Sequence, residues 1–248
     1  MNNFILENII NKKLNSKNFN DFSPNGLQIE GCSKIKKIIF GVTACQKLLD
    51  FAVKTKSHAV IVHHGYFWKN ESRSIIGMKK NRIKTILVNN INLYSWHLPL
   101  DVHPKIGNNV QIAKKLNIKI LGAFSKFGLF GKFENHISGE KLCELIKNKF
   151  GKKPIYCYGE NSPKKINTVA WCSGKGQSYI YEALNLQVDA YITGEISEDT
   201  MHCANENNIH FFSIGHHASE KFGILELSNW IFSKYNLDCK FININNPA

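Results

Sequence analysis

Short apolar runs alternate along the chain with longer segments in which apolar residues recur every three or four positions. The runs predict strands and the amphipathic segments predict helices, because side chains repeat with a period of 2 in a strand and 3.6 in a helix. In the first half of the chain the pattern predicts helix 2–14, strand 37–42, helix 46–54, strand 58–62, helix 77–88, strand 91–96, helix 108–116 and strand 118–121. Such an alternation is typical of an α/β fold with a largely parallel sheet.

The segment Gly122–Ser138, rich in Gly and Phe, interrupts this alternation, and we place a lobe boundary there. A second run follows, with helix 141–149, strands 154–158 and 168–172, helix 178–185, strand 190–193, helix 199–206, strand 210–214, helix 217–235 and strand 239–244. We therefore expect two similar α/β lobes with largely parallel sheets, residues 1–122 and 123–248. The boundary is approximate, and the last long helix could pack back on the first lobe.

The chain is strongly basic, with 32 Lys and Arg against 19 Asp and Glu and a net charge of +13. Only Arg73 and Arg82 are arginines, the lysines form no run of five, and 29 residues are Asn. Lys, Asn and Ile share A/T-rich codons, whereas proteins that read nucleic acid favour the planar fork of Arg. We therefore attribute most of the charge to codon usage and rank nucleic acid low among the partners. The charge still favours small anionic ligands.

The cysteines and the N-terminal residues indicate the cellular compartment in which the protein is expected. The seven cysteines contain no CxxC pair and lie mostly in apolar or helical contexts, which favours reduced, buried thiols. Residues 1–7 lack the basic and long apolar regions of a signal peptide, and no apolar run approaches the roughly 18 residues needed to span a bilayer. We expect a cytoplasmic protein with no membrane partner.

Histidines and carboxylates follow three of the predicted strands. In an open α/β sheet, ligands bind beyond the carboxyl ends of the strands, so these side chains are candidates for one site between the lobes. In chain order they are His63, His64, His97, Asp101, His216 and Glu220.

The spacing of these residues suits metal binding. His216 and Glu220 are four residues apart at the start of a predicted helix and therefore share one face. His63 and His64 would point to opposite sides of a strand, but Gly65 relaxes that constraint and lets the two imidazoles serve two ions.

Imidazole and carboxylate ligands suit Zn, Fe, Mn, Co or Ni, and we expect two divalent ions for each chain. Two ions about 3.5–4 Å apart can activate water and clamp a reacting oxygen. Against this interpretation, a single histidine after a strand is usually a turn or surface residue. We therefore interpret the remaining isolated histidines as turn or surface residues without a metal-binding role. They are His58, His103, His136, His202 and His210.

Two further segments could carry chemistry. The turn Trp171–Ser178 contains Gly174 and Gly176 around Lys175, but it matches neither of the common phosphate-binding motifs. A tight structural turn and a substrate loop therefore stay open as interpretations. Glu195 follows strand 190–193 and is a candidate general acid or base, with capping of the next helix as the alternative. Cys45 and Cys172 lack a paired histidine pattern, so we exclude thiol catalysis.

The sequence resembles the NIF-three-like family in its short bacterial form, whose members are often labelled GTP cyclohydrolase 1 type 2 homologue. The stretches that carry the resemblance span almost the whole chain: SPNGLQIEG (23–31), GVTACQ (41–46), VIVHHG (60–65), SWHLPLD (95–101), AWCSGKGQS (170–178), DAYITGEISE (189–198) and GHHASE (215–220). Lys175 within the glycine-rich turn is a departure from the family pattern.

The resemblance implies a toroidal homohexamer of two-lobed subunits and a dinuclear metal centre. The implied ligands are His63, His64, Asp101, His216 and Glu220, with Glu220 bridging and His97 close by. The family label implies ring opening of GTP, while family members are also associated with damaged nucleotides and the response to DNA damage, metal handling and protein interaction.

These observations lead to two hypotheses. The first is a metal-dependent hydrolase-like enzyme that acts on a nucleotide or a related phosphorylated small molecule, with His97 or Glu195 transferring the proton. The alternative is a non-catalytic metal-binding or regulatory assembly protein.

Overall fold

The computed structural model describes all residues from Met1 to Ala248. They form two compact units, residues 1–107 with 221–244 and residues 108–220 with 245–248. Each unit combines one β-sheet with helices, so the predicted α/β class is confirmed. The lobe boundary predicted after residue 122 stays a prediction.

The regular elements follow the predicted alternation closely. Residues 1–107 contain α1 (Asn3–Leu14), β1 (Gly26–Ile29), β2 (Lys37–Thr43), α2 (Gln46–Lys54), β3 (Ala59–His64), α3 (Gly77–Val88), β4 (Asn92–Ser95) and α4 (Leu98–Val102). Residues 108–248 contain α5 (Asn108–Leu116), β5 (Ile118–Phe124), β6 (Gly128–Ile137), α6 (Gly139–Phe150), β7 (Ile155–Cys157), β8 (Ile166–Cys172), α7 (Ile180–Leu184), β9 (Ala190–Thr193), α8 (Glu198–Glu206), β10 (His210–Ser213), α9 (His216–Tyr235) and β11 (Asp238–Phe241).

The first unit is built on a five-stranded sheet with the order β1-β4-β3-β2-β11. All neighbours are parallel except the edge pair β1 and β4. Phe40 and Ile61 pack on one face with apolar residues of α1 and α9, and Ile39 and Val60 pack on the other with those of α2 and α3. Burial on both faces explains why the central strands are continuous apolar runs.

The second unit is built on a six-stranded sheet with the order β5-β6-β8-β9-β10-β7. Its centre, β8-β9-β10, is parallel, and the outer strands β5, β6 and β7 pair antiparallel. Trp171, Tyr191 and Phe211 lie on these central strands and are fully buried. Both sheets therefore have a parallel centre whose carboxyl ends lead into the candidate site residues, His64 and His97 in the first unit and Glu195 and His216 in the second.

β1 and α4 were not predicted from the sequence, and two further segments differ from the prediction. β3 continues to His64, because Thr43 of β2 extends the ladder and pairs with that residue, so both histidines lie within the strand rather than after it. The interval Gly122–Ser138 mostly forms the β5–β6 hairpin. Its glycines hid the strand, yet Gly131 is required there, because a Cβ would lie 2.2 Å from the backbone oxygen of Lys119.

None of the helices is long and apolar enough to cross a lipid bilayer.

Asn92 fixes the start of β4, the strand that leads to His97. The Asn92 side chain is fully buried. Its Nδ2 donates to the carbonyls of Cys32 at 2.8 Å and His58 at 3.1 Å, and its Oδ1 accepts from the backbone N–H of Gly31 at 3.0 Å. One side chain thus joins β4 to the start of β3 and to the segment after β1.

Replacing Asn92 by Ala should lower the free energy of unfolding by about 2–4 kcal/mol, because it leaves buried backbone groups without partners. Urea denaturation of the two proteins measures this loss. Asn89→Ala is the matched control, since Asn89 is exposed and its side chain donates one hydrogen bond, to the carbonyl of Thr85. Equal losses for the two variants would contradict the proposed role of Asn92.

Candidate metal centre

Three imidazoles meet at the carboxyl ends of β3 and β4. The ring centroids of His63 and His64 are 4.6 Å apart, and His97 lies 5.1 Å from the first and 5.7 Å from the second. One ring nitrogen from each residue lies within 4.8 Å of the others, close enough for a shared ion or for neighbouring ions. The structure therefore brings together three of the histidines that the sequence singled out.

Hydrogen bonds to the protein hold the Nδ1 atoms of all three rings. His63 Nδ1 lies 3.0 Å from the carbonyl of Trp96, which can only accept, so Nδ1 carries the proton. His64 Nδ1 lies 3.3 Å from the hydroxyl of Thr43. Donation from Nδ1 places the lone pair of a neutral imidazole on Nε2, and this arrangement is general for histidines that bind metal ions.

His97 is held by Asp21, a residue that the sequence interpretation missed. The His97 Nδ1–Asp21 Oδ1 distance is 2.8 Å, and the other carboxylate oxygen accepts from the backbone N–H of Leu98. Burial raises the pKa of Asp21, but the hydrogen bond and charge of His97, together with Asn25 and the backbone of Phe22, outweigh it and hold the pKa below its ordinary value. The Asp21 carboxylate therefore fixes the orientation of the His97 ring.

Asp101 adds a carboxylate to this first group. It lies on α4, and its Oδ1 is 3.4 Å from Nε2 of His63, with both side chains almost fully buried. A lone pair and a carboxylate oxygen repel at this distance unless a proton or a cation lies between them. The donor set of imidazole nitrogens and a carboxylate suits a divalent transition metal.

A second group lies in the second unit, after β9 and at the start of α9. His216 Nδ1 is 2.7 Å from Glu195 Oε1, and His216 Nε2 is 3.0 Å from Glu220 Oε2, as the spacing of four residues predicts. Burial lowers the pKa of His216, but the hydrogen bonds and negative charges of Glu220 and then Glu195 raise it to about 9. A cation thus compensates the buried carboxylate of Glu220, and a divalent ion suits the same place.

Gly174 makes room for Glu220. A Cβ on Gly174 would lie 2.1 Å from Glu220 Oε1 and 3.3 Å from His216 Nε2, and the residue has φ +62°. Only glycine meets both conditions without strain. The glycine-rich turn predicted from the sequence therefore lies directly against the Glu220 carboxylate and the His216 imidazole.

The backbone of this turn is hydrogen-bonded within the protein. The N–H of Gly174 donates to the hydroxyl of Ser219 at 3.0 Å, and its carbonyl accepts from the N–H of Gly194. The carbonyl of Gly176 accepts from the hydroxyl of Tyr191 at 2.6 Å. These contacts favour the interpretation as a structural turn, and Lys175 at its tip is exposed.

Helix capping does not explain Glu195. Ser197 and Thr200 form the capping box of α8, whereas the Glu195 carboxylate contacts His216 and lies 3.5 Å from Nε2 of Gln177. Other isolated histidines lie outside these two groups. His103 and His210 are buried, and each is hydrogen-bonded to a neighbouring residue. His136 and His202 are exposed.

Comparison with known proteins identifies the family. The family model described as Duf34/NIF3 (NGG1p interacting factor 3) matches residues 1–247. The chain belongs to the Duf34/NIF3 family. The resemblance noted from the sequence motifs is thereby confirmed.

Relatives of this NIF3-family chain match it over its full length. Proteins named "GTP cyclohydrolase 1 type 2 homolog" from Buchnera aphidicola subsp. Schizaphis graminum and from Escherichia coli K12 are 58% and 51% identical to it, with all of both chains covered. A solved structure described as "protein ybgI, unknown function" is 51% identical, covers both chains completely and has a TM-score of 0.98.

Replacing Gly174 by Ala should displace the Glu220 carboxylate and weaken divalent-metal binding by at least about tenfold, because a ligand moved by an ångström no longer meets the ion. Isothermal titration with Zn²⁺ or Mn²⁺ measures the change. Gly77→Ala is the control: Gly77 also has positive φ, at +53°, but a Cβ there meets nothing within 4 Å. Equal weakening by both substitutions would show that backbone strain alone is responsible.

Proposed function

We propose that this NIF3-family chain is a hydrolase-like protein with two divalent metal ions. The proposed ligands are His63, His64, Asp101, His216 and Glu220. The observation that carries the proposal is the set of imidazoles whose Nδ1 atoms are held by the protein.

Each of the two groups of side chains, considered by itself, has donor atoms that suit a divalent ion. In the first group, the His63 nitrogen and the Asp101 oxygen face each other at 3.4 Å. In the second group, the glycine at 174 leaves the room that the Glu220 carboxylate needs. When bound, divalent ions would supply Lewis-acid activation of water and neutralise charge on a reacting oxygen.

His97 and Glu195 are the proposed proton carriers. His97 keeps its Nδ1 on the Asp21 carboxylate, so that Nε2 is the atom able to accept or donate a proton. Glu195 has about a third of its side chain exposed and hydrogen-bonds to His216. It can therefore orient His216 and also exchange a proton with a bound molecule.

The substrate we propose is a nucleotide or a related small phosphorylated molecule, including damaged nucleotides. The relatives named "GTP cyclohydrolase 1 type 2 homolog" support a link to nucleotides. The net charge of +13 supports an anionic ligand, since it raises the encounter rate with anions. We further propose a toroidal homohexamer in the cytoplasm, which would have six times the 28.2 kDa mass of one chain in light scattering.

Metal content and turnover test the proposal together. We expect purified wild-type protein to bind about two divalent ions per chain and to hydrolyse at least one member of a panel of nucleotides. His64→Ala/Glu220→Ala should lose the ions and the turnover. His97→Gln should keep the ions but lose turnover by roughly a hundredfold, the usual contribution of a general acid or base.

His202→Ala is the control variant, because His202 is exposed on α8. Equal turnover in wild type and in the double variant, at equal folding, would exclude a catalytic role for the centre. Stoichiometric metal without turnover across the panel would instead support the non-catalytic metal-binding or regulatory protein.

A further inference from the structure

The segment between β3 and α3, residues 65–76, forms no helix or strand, yet it is firmly held. The backbone N–H of Lys69 donates to the carbonyl of Phe22 at 2.8 Å. The backbone N–H of Trp68 donates to the carboxylate of Glu71 at 3.1 Å, and that carboxylate forms a 3.1 Å ion pair with Lys79 of α3. Contacts with the loop before β1 and with α3 therefore hold Trp68 and its neighbours Lys69 and Glu71.

The indole of Trp68 lies beside the imidazoles of the first group. Its centroid is 5.0 Å from that of His97, at an interplanar angle of 82°, and 6.0 Å from that of His64, at 54°. The indole N–H donates to the carbonyl of Gly65, which fixes the ring orientation. Neither ring contact is a parallel stack, and the perpendicular contact with His97 covers at most one face of the indole.

The other tryptophans have plain packing roles. Trp96 and Trp171 are fully buried. Trp230 packs against the core of the first unit and contacts Tyr235 edge to face. Trp68 is the partly exposed tryptophan that lies against site residues. An aromatic ring fixed at the rim of a polar site is the usual platform for a planar ring of a ligand.

Lys69 directly follows Trp68 in the chain, and its ammonium group lies near a second aromatic ring, that of Phe22. Lys69 is exposed, its ammonium group donates to Asn20 Oδ1 at 2.9 Å, and it lies 5.9 Å from the ring centroid of Phe22. Phe22 is 55% exposed and directly follows Asp21, the residue that holds His97. The indole lies beside His97 and His64, and the next residue in the chain carries an exposed positive charge.

We propose that the indole of Trp68 stacks on a planar heteroaromatic ring of the substrate while Lys69 attracts its anionic group. This inference rests on the proposed function and narrows its substrate class to anionic compounds that carry such a ring, as nucleoside monophosphates do. Phosphorylated sugars without a ring of this kind are excluded as preferred ligands.

Binding without turnover tests the proposal separately from catalysis. GMP and ribose 5-phosphate, which share the phosphate and the ribose but differ in the base, are titrated into the full-length protein, with and without EDTA, and followed by tryptophan fluorescence and equilibrium dialysis. The variants are Trp68→Phe and Trp68→Leu, with Trp230→Phe as the control that removes another partly exposed tryptophan. Metal content and the urea midpoint of each variant are measured alongside.

We expect GMP to quench fluorescence in wild type and Trp230→Phe but not in Trp68→Phe. The dissociation constant for GMP should rise about tenfold in Trp68→Leu and less than about threefold in Trp68→Phe, since a base stacks on phenylalanine but not on leucine. Ribose 5-phosphate should bind more weakly than GMP and equally to all variants.

Equal GMP affinity in wild type and Trp68→Leu, or no GMP binding to the wild type, would overturn the proposal. These results differ from those that test the function. Quenching and ring selectivity without hydrolysis would support stacking and contradict the hydrolase. Hydrolysis whose KM is unchanged in Trp68→Leu would contradict stacking and support the hydrolase.

Discussion

The hydrogen bond between His63 Nδ1 and the carbonyl of Trp96 links the chemistry of this protein to its sheet. The bond is made across β3 and the end of β4, two parallel neighbours, so the register of the sheet decides which ring nitrogen is protonated. A fully buried imidazole needs such a partner for its N–H. With Nδ1 as the donor, Nε2 is the atom that can bind an ion, and the same logic applies to His97 on Asp21.

The second constraint is the space that the Glu220 carboxylate needs, and Gly174 leaves that space because it has no side chain. The second group depends on a carboxylate, Glu220, that is 2% exposed and lies against Gly174. A larger residue at 174 would occupy the position of its oxygen. Gly174 adopts the positive φ that the turn requires, and hydrogen bonds with Ser219 and Gly194 stabilise the turn. The turn therefore leaves space for the carboxylate and the imidazole beside it, and the N–H of Gly174 is hydrogen-bonded within the protein.

Much of the fold could be predicted from the sequence, because the central strands are buried on both faces and therefore form continuous apolar runs. Helices 46–54, 77–88 and 108–116 were predicted with the observed bounds. The β5–β6 hairpin was not predicted, because its glycines mark close backbone approach rather than a loop. The prediction ended β3 too early, because two polar residues such as His63 and His64 do not indicate a strand by themselves. Their place in β3 follows from the pairing of His64 with Thr43 of β2.

The grouping of the candidate residues was predictable where they follow strands or share a helix turn, as with His216 and Glu220. Asp21 and Trp68 were missed for a physical reason. Asp21 acts on His97 across 76 positions of sequence, and Trp68 lies in a segment without periodicity. The polar loop before Ser23 and a single tryptophan after a histidine pair are weak signals by themselves. Their meaning comes from tertiary contacts that one sequence does not contain.

An anomalous difference map of the crystalline protein, loaded with Mn²⁺ or Zn²⁺ and measured at the absorption edge of the ion, would show which side chains bind the ions. We expect peaks at coordination distance, about 2.0–2.2 Å, from Nε2 of His63 and Nε2 of His64, with carboxylate oxygens completing the ligands. A map without peaks at these nitrogens, with the ions bound elsewhere or not at all, would contradict this expectation.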